Sequence, residues 1–137
     1  MKVKIGKYRS SSNKKRKIEI KIDPYDCWSL DHTLALIIHP ALVAFRSRLD
    51  GISSSVYNED VPEELQSITD CTIDGILDAN HHNRWAWCLD EMIWAFERTI
   101  LEDDDFAAFD LEIYEKNQKR KDNGRRLFAK YYESIWN

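Results

Sequence analysis

The cysteines, histidines and tryptophans of this chain are its chemistry-bearing residues, and their spacing decides what chemistry is open to them. Cys27, Cys71 and Cys88 are odd in number and share no C-x-x-C spacing, so neither a disulfide framework nor a zinc knuckle is expected. Buried or half-buried free thiols of a reducing compartment are the reading. His32 and His39, seven apart, could share a helix face, but no Cys or second His at i+3 or i+4 completes a metal site. His81 and His82 are adjacent and point different ways on a helix. There is no G-x-S-x-G, no P-loop, no G-x-G-x-x-G and no H-E-x-x-H. Catalysis would rest on scattered carboxylates alone, so no metal, cofactor or enzymatic activity is expected.

Charge is more informative. Residues 1–21 carry nine Lys and Arg against Glu19, residues 50–112 carry seventeen acids against Arg84 and Arg98, and residues 116–130 carry seven cations against Asp122. If the basic ends met, within the fold or across an oligomer, they would form a positive basin on an acidic body. Such a basin attracts a small polyanion while the acidic remainder repels long nucleic acid. The plainer alternative is a solvated basic loop and a solvated helix face that serve solubility.

These residues must be positioned by a small set of elements. The chain has 137 residues, enough for one domain with one core, and is 43% apolar and 32% charged. No apolar run reaches the ~18–20 residues that span a bilayer, and the first residues lack the apolar stretch of a signal peptide. A cytosolic protein is expected. Lys2-Val3-Lys4-Ile5 and Ile18 to Asp23 alternate as half-buried strands, giving a hairpin over 1–23 around the mobile-looking basic loop 9–17. Leu30, Leu34, Ile37, Ile38, Ala41, Leu42, Phe45 and Leu49 stripe a helix over 29–49, which Pro40 is expected to kink or split. Residues 51–80 read as an acidic surface linker with one short helix after Pro62.

A central helix over 83–101 carries Trp85, Leu89, Met92, Ile93, Phe96 and Ile100 as its core stripe. Trp87 and Trp94 lie roughly opposite. A large exposed apolar patch marks a contact site, so either this helix is central and packs on both sides, a second subunit being one such neighbour, or the pair stacks on a planar ligand. A C-terminal helix over 111–136 has Gly124 inside its apolar stripe, where a missing Cβ lets another backbone or a ligand come close. The whole is an α+β fold, an N-terminal two-stranded hairpin followed by three main helices in a single domain. It is expected to be a dimer or tetramer because the hairpin edges and the tryptophans need cover.

Five blocks carry a resemblance: KVKIGKY at the start, KKRKIEIKIDPYDCWSLDHTLALIIHP, EDVPEELQS, RWAWCLDEMIWAFE and NGRRLFAKYYESIW. With them the chain resembles a widespread family of small tailed-phage proteins, from many of which it differs in a short segment between the first two strands. By context and type the family looks like the sponge proteins that sequester cyclic-nucleotide defence signals, including those of CBASS and Thoeris. The resemblance implies a non-catalytic, oligomeric protein of the host cytoplasm that captures a cyclic oligonucleotide intact. A nucleotide needs π-faces for its bases and fixed cations for its phosphates. Tyr8, Trp28, Trp87 and Tyr132 are the candidates for bases. Arg84, Arg125, Arg126 and Lys130 are those for phosphates, and Asp31, Asp90 and Asn123 those for base edges. Each has a plainer role open to it: solvated charge, plug between elements, or partner of a helix dipole. A structural or accessory phage protein acting through protein contacts is the alternative. A duplex DNA reader is not expected, since the acidic middle repels phosphate and no recognition motif is present.

Overall fold

The computed structural model describes residues 1–7, 16–49, 53–67, 78–101 and 110–136. The element order is two strands and then three helices, an α+β architecture with an antiparallel N-terminal hairpin. By its internal contacts the chain divides into two units, Met1–Leu34 and Ala35–Asn137.

In the first unit, alternation of Lys with β-branched residues makes β1 (Lys2–Ile5) and β2 (Ile18–Lys21). They pair with Val3 opposite Ile20 and Ile5 opposite Ile18. The ladder ends at Asp23-Pro24, where the proline cannot donate and instead opens a short 3-10 turn, Pro24–Cys27. Asp23 and Asp26 cap this turn reciprocally, and Asp26 also holds the N-terminal ammonium at 2.7 Å. That ammonium and the backbone of Asp23 keep the Asp26 carboxyl below the usual carboxylate range.

Helix α1 spans Leu30–Arg46 and runs through Pro40 without a break. This corrects the expectation of a split. Pro40 and Leu36, whose carbonyl loses its i→i+4 donor, both lie on the exposed side, where water can take the freed oxygen. The helix closes in a turn in which Ser47 and Arg48 donate to Val43 and Phe45.

The second unit holds the core. Helix α2 (His81–Leu101) buries Arg84, Trp85, Cys88, Leu89, Met92, Ala95 and Thr99 at helical spacing. Helix α3 (Leu111–Lys130) packs along it. At the crossing, a Cβ on Gly124 would lie 2.5 Å from the Glu91 carbonyl oxygen and 2.5 Å from the Ala95 Cβ. The close neighbour that the glycine admits is therefore α2 itself. The core cluster is Leu42, Val61, Trp85, Cys88, Leu89, Met92, Leu127 and Tyr131. Helix boundaries move in all three: α1 spans Leu30–Arg46 rather than 29–49, α2 starts two residues earlier than expected, and α3 ends at Lys130, followed by a 3-10 turn at Tyr132–Ser134.

Residues 53–67 are not the surface excursion that their acidity suggested. They form a strap with 3-10 turns at Asn58–Asp60 and Glu63–Leu65, the second directly after Pro62. Val61, Ser53 and Asp60 are buried, and Val56 and Leu65 pack on the core. Among the described residues no helix is long and apolar enough to cross a membrane.

Candidate ligand-binding site

The strongest polar cluster centres on Asp60, whose side chain is 1% exposed. A carboxylate in that position survives only if donors surround it. Arg126 donates Nη1 at 2.6 Å, Lys130 donates Nζ at 2.5 Å, and the Tyr131 hydroxyl donates at 2.6 Å. Lys130 also reaches Glu59 at 3.0 Å and lies 4.6 Å over the Tyr57 ring, while the Tyr57 N–H donates to the Tyr131 hydroxyl. Burial pushes the Asp60 carboxyl up. The hydrogen bonds from Lys130, Tyr131 and Arg126 reverse that and leave it below the usual carboxylate range. In turn Asp60 and Glu59 hold Lys130 charged well above its ordinary value. Burial, then Asp60, does the same to the Tyr131 phenol, which stays neutral. Two acids and two cations make this clamp neutral, and it ties the strap to α3.

The other expected phosphate ligands are engaged too. Arg84 is buried, bonded to both oxygens of Asp78 and to the Leu65 carbonyl, and its hydrogen bond is what lowers the Asp78 pKa. Arg125 meets the Thr99 hydroxyl at 3.0 Å and Asp122 at 3.7 Å. Asn123 accepts two bonds from Arg126, and Asp90 takes a bidentate pair from Arg46. Of the cations in residues 116–130, Arg120, Arg125, Arg126 and Lys130 thus face acids of the same unit.

The tryptophans on α2 also find cover within the unit. Trp87 is half-buried against the core. Trp94 is half-buried under two guanidiniums, Arg120 at 4.1 Å and Arg98 at 5.6 Å from its ring centre. For Trp94 the cover comes from Arg98, one turn along α2, and from Arg120 of α3. Trp28, 87% exposed and tilted against Tyr25, and the exposed Asp31 belong to the first unit. Tyr8 lies outside the described residues.

Tyr132 lines an open groove among the described residues. It sits with Trp136, Phe128, Glu133 and Ile135 opposite Ile37, Ile38, Ala41 and Leu42 of α1, around a groove of about 480 Å³. Tyr132 and Trp136 are 64% and 74% exposed beside this apolar floor. Sequence reasoning missed Trp136, Phe128 and Ile37 as lining residues. The signal was an aromatic at the end of the last helical stripe, where the helix had already given way to a turn.

One more contact was not foreseen. The Ser53 hydroxyl lies 2.7 Å from His82 Nδ1, and His81 Nε2 meets the Ser53 carbonyl at 2.8 Å. This has the spacing of a nucleophile and base, but Ser53 is 8% exposed and no carboxylate bonds His82 among the described residues. The pair fastens the strap to the start of α2. Among the described residues no three His, Cys, Asp or Glu side chains gather to hold a metal. No family model, no curated protein and no solved structure matches the chain.

Proposed function

We propose that the protein is a non-catalytic binding protein that captures a cyclic oligonucleotide defence signal intact, as a phage sponge in the host cytoplasm. It works as a homo-oligomer, without metal or cofactor. The observation that supports this reading is the groove of Tyr132 and Trp136. Two exposed aromatic residues beside an aliphatic floor offer stacking worth ~1–3 kcal/mol per base. The volume of about 480 Å³ suits a nucleobase with its sugar.

The engaged cations favour a second reading. Arg84, Arg126 and Lys130 already hold carboxylates, so a phosphate would have to displace Asp60 or Asp78. An accessory phage protein that uses the same apolar groove for a protein contact needs no such exchange.

Calorimetry against a panel of cyclic di- and trinucleotides separates the two. The sponge reading expects one member to bind and to be released unchanged on heating. Trp136→Ala, at a side chain too exposed to hold up the core, should weaken that binding at least tenfold. Silence across the panel supports the accessory protein, and release of a cleaved nucleotide makes the protein an enzyme.

A further inference from the structure

The first unit has no buried residue among those described: every residue of β1 and β2 is exposed, and the 3-10 turn buries none. A two-stranded hairpin is marginal by itself in water, because it has no face to bury. Its own pattern shows which face that should be. Residues two apart on a strand share a face, and so do residues directly opposite on an antiparallel pair. With Val3 opposite Ile20 and Ile5 opposite Ile18, these four side chains form one continuous aliphatic face, and Ile22 extends the alternation. They are 36%, 58%, 54%, 62% and 56% exposed in the order Val3, Ile20, Ile5, Ile18, Ile22.

The other face is charged and of mainly one sign. It carries Lys2, Lys4 and Lys21 with Glu19, of which Lys2 and Glu19 pair at 2.8 Å. Lys2 stands directly opposite Lys21, so the face already holds a like-charge pair.

We propose that the aliphatic face of β1–β2 is a self-association surface on which a second copy of this chain packs face to face about a two-fold axis. The surface is suited to pairing with itself, being wholly β-branched and free of charge, as an isologous contact requires. The five residues present roughly 500 Å², the size of the largest apolar patch on a typical monomer, which is often a contact surface. Two such faces together bury on the order of 1,000 Å², the size at which a specific interface begins. Packing them leaves both lysine rows in water, whereas contact through the polar faces would set three lysines against three. The proposal takes the homo-oligomer of the preceding reading and names its surface.

Sedimentation equilibrium on the full chain, across the micromolar range, tests it. The wild type should approach twice 16.2 kDa with rising concentration. The double variant Ile18→Lys/Ile20→Lys should stay at 16.2 kDa with unchanged helical circular dichroism, and Lys4→Ser on the opposite face should behave as wild type. Should the lysines disturb the hairpin, Val3→Thr/Ile5→Thr keeps β-propensity while removing the aliphatic surface, and should weaken pairing at least tenfold. Mixed labelled and unlabelled copies should show intermolecular contacts between Ile20 and Ile5 or Ile18 methyls. A wild type that stays monomeric overturns the proposal. So does a dimer that survives both double variants, which would pair through strand edges instead. Nucleotide calorimetry is a separate readout: a monomer that binds a nucleotide refutes this surface and not the ligand, and a dimer that binds none does the reverse.

Discussion

Replacing Asp60 by alanine should be among the most damaging single changes to the second unit. The substitution removes a carboxylate that is 1% exposed and strands three donors: Arg126 at 2.6 Å, Lys130 at 2.5 Å and the buried Tyr131 hydroxyl at 2.6 Å. Breaking a buried ion pair from one side costs ~3–5 kcal/mol, because the partner charges are left uncompensated. Here Lys130 keeps Glu59 and Arg126 keeps Asn123, which places the expected loss at the lower end, about 3 kcal/mol. For a chain of this size that is on the order of 10 °C in Tm. Asp60→Asn keeps the shape and one acceptor and should cost about 1–3 kcal/mol. Urea denaturation followed by circular dichroism and tryptophan fluorescence measures both.

The pH dependence gives an internal control on Asp60. Its pKa is lower folded than unfolded, so its stabilisation is fully present above the ordinary Asp value of roughly 4. It is lost as pH falls through the lower folded value. The gap between wild type and Asp60→Asn should therefore be widest near neutrality and close in that acid window. An Asp60→Ala protein within about 1 kcal/mol of wild type at neutral pH would refute the clamp as a stabilising element. So would a gap that does not narrow in acid.

Two further outcomes are expected. Gly124→Ala gains up to ~1 kcal/mol of helix propensity but drives a Cβ to 2.5 Å from the Glu91 carbonyl, so it should destabilise by about 1–3 kcal/mol net. Adding Ala95→Gly should recover only part of this, since the backbone contact remains; full recovery in urea melts would place the clash in the side chain alone. Cys27, exposed, should react with a thiol reagent in the native protein. Cys88, 0% exposed and pushed up to about 12 chiefly by burial, should react only on unfolding, as peptide mass mapping would show.

The hairpin and the three helices were legible because each declares its own period: alternation in Lys2–Ile5 and Ile18–Lys21, and apolar stripes along α1, α2 and α3. The site was less so. Arg126 and Lys130 read as free cations on a helix face because the acids they serve lie 66 and 71 positions away, and no local pattern pairs them. The same distance hid the strap. Its Asp, Glu and Pro content reads as solvent-loving, yet Asp60 is buried because its charge is matched from α3, and Val61 is carried into the core beside it. Pro40 misled in the opposite direction, a local rule relaxed by exposure of the freed carbonyl. Trp94 looked like a surface needing a stranger, and cation–π contact with Arg120 across the α2–α3 pair meets that need.

The strap also sets an order of events. Helices α2 and α3 are consecutive elements, whereas the Glu59 and Asp60 contacts to α3 close loops of 66 to 71 residues. Loop closure of that length is entropically unfavourable before the helices have brought the chain back, so α2 and α3 should associate first and the strap should lock afterwards. On the return path it is the first seam to part, because its backbone is held by short turns and side-chain bonds rather than by a helical or sheet ladder. A protease cutting within residues 53–67 would then report how often this seam opens, while the amides of α2 would report the unfolding of the whole unit.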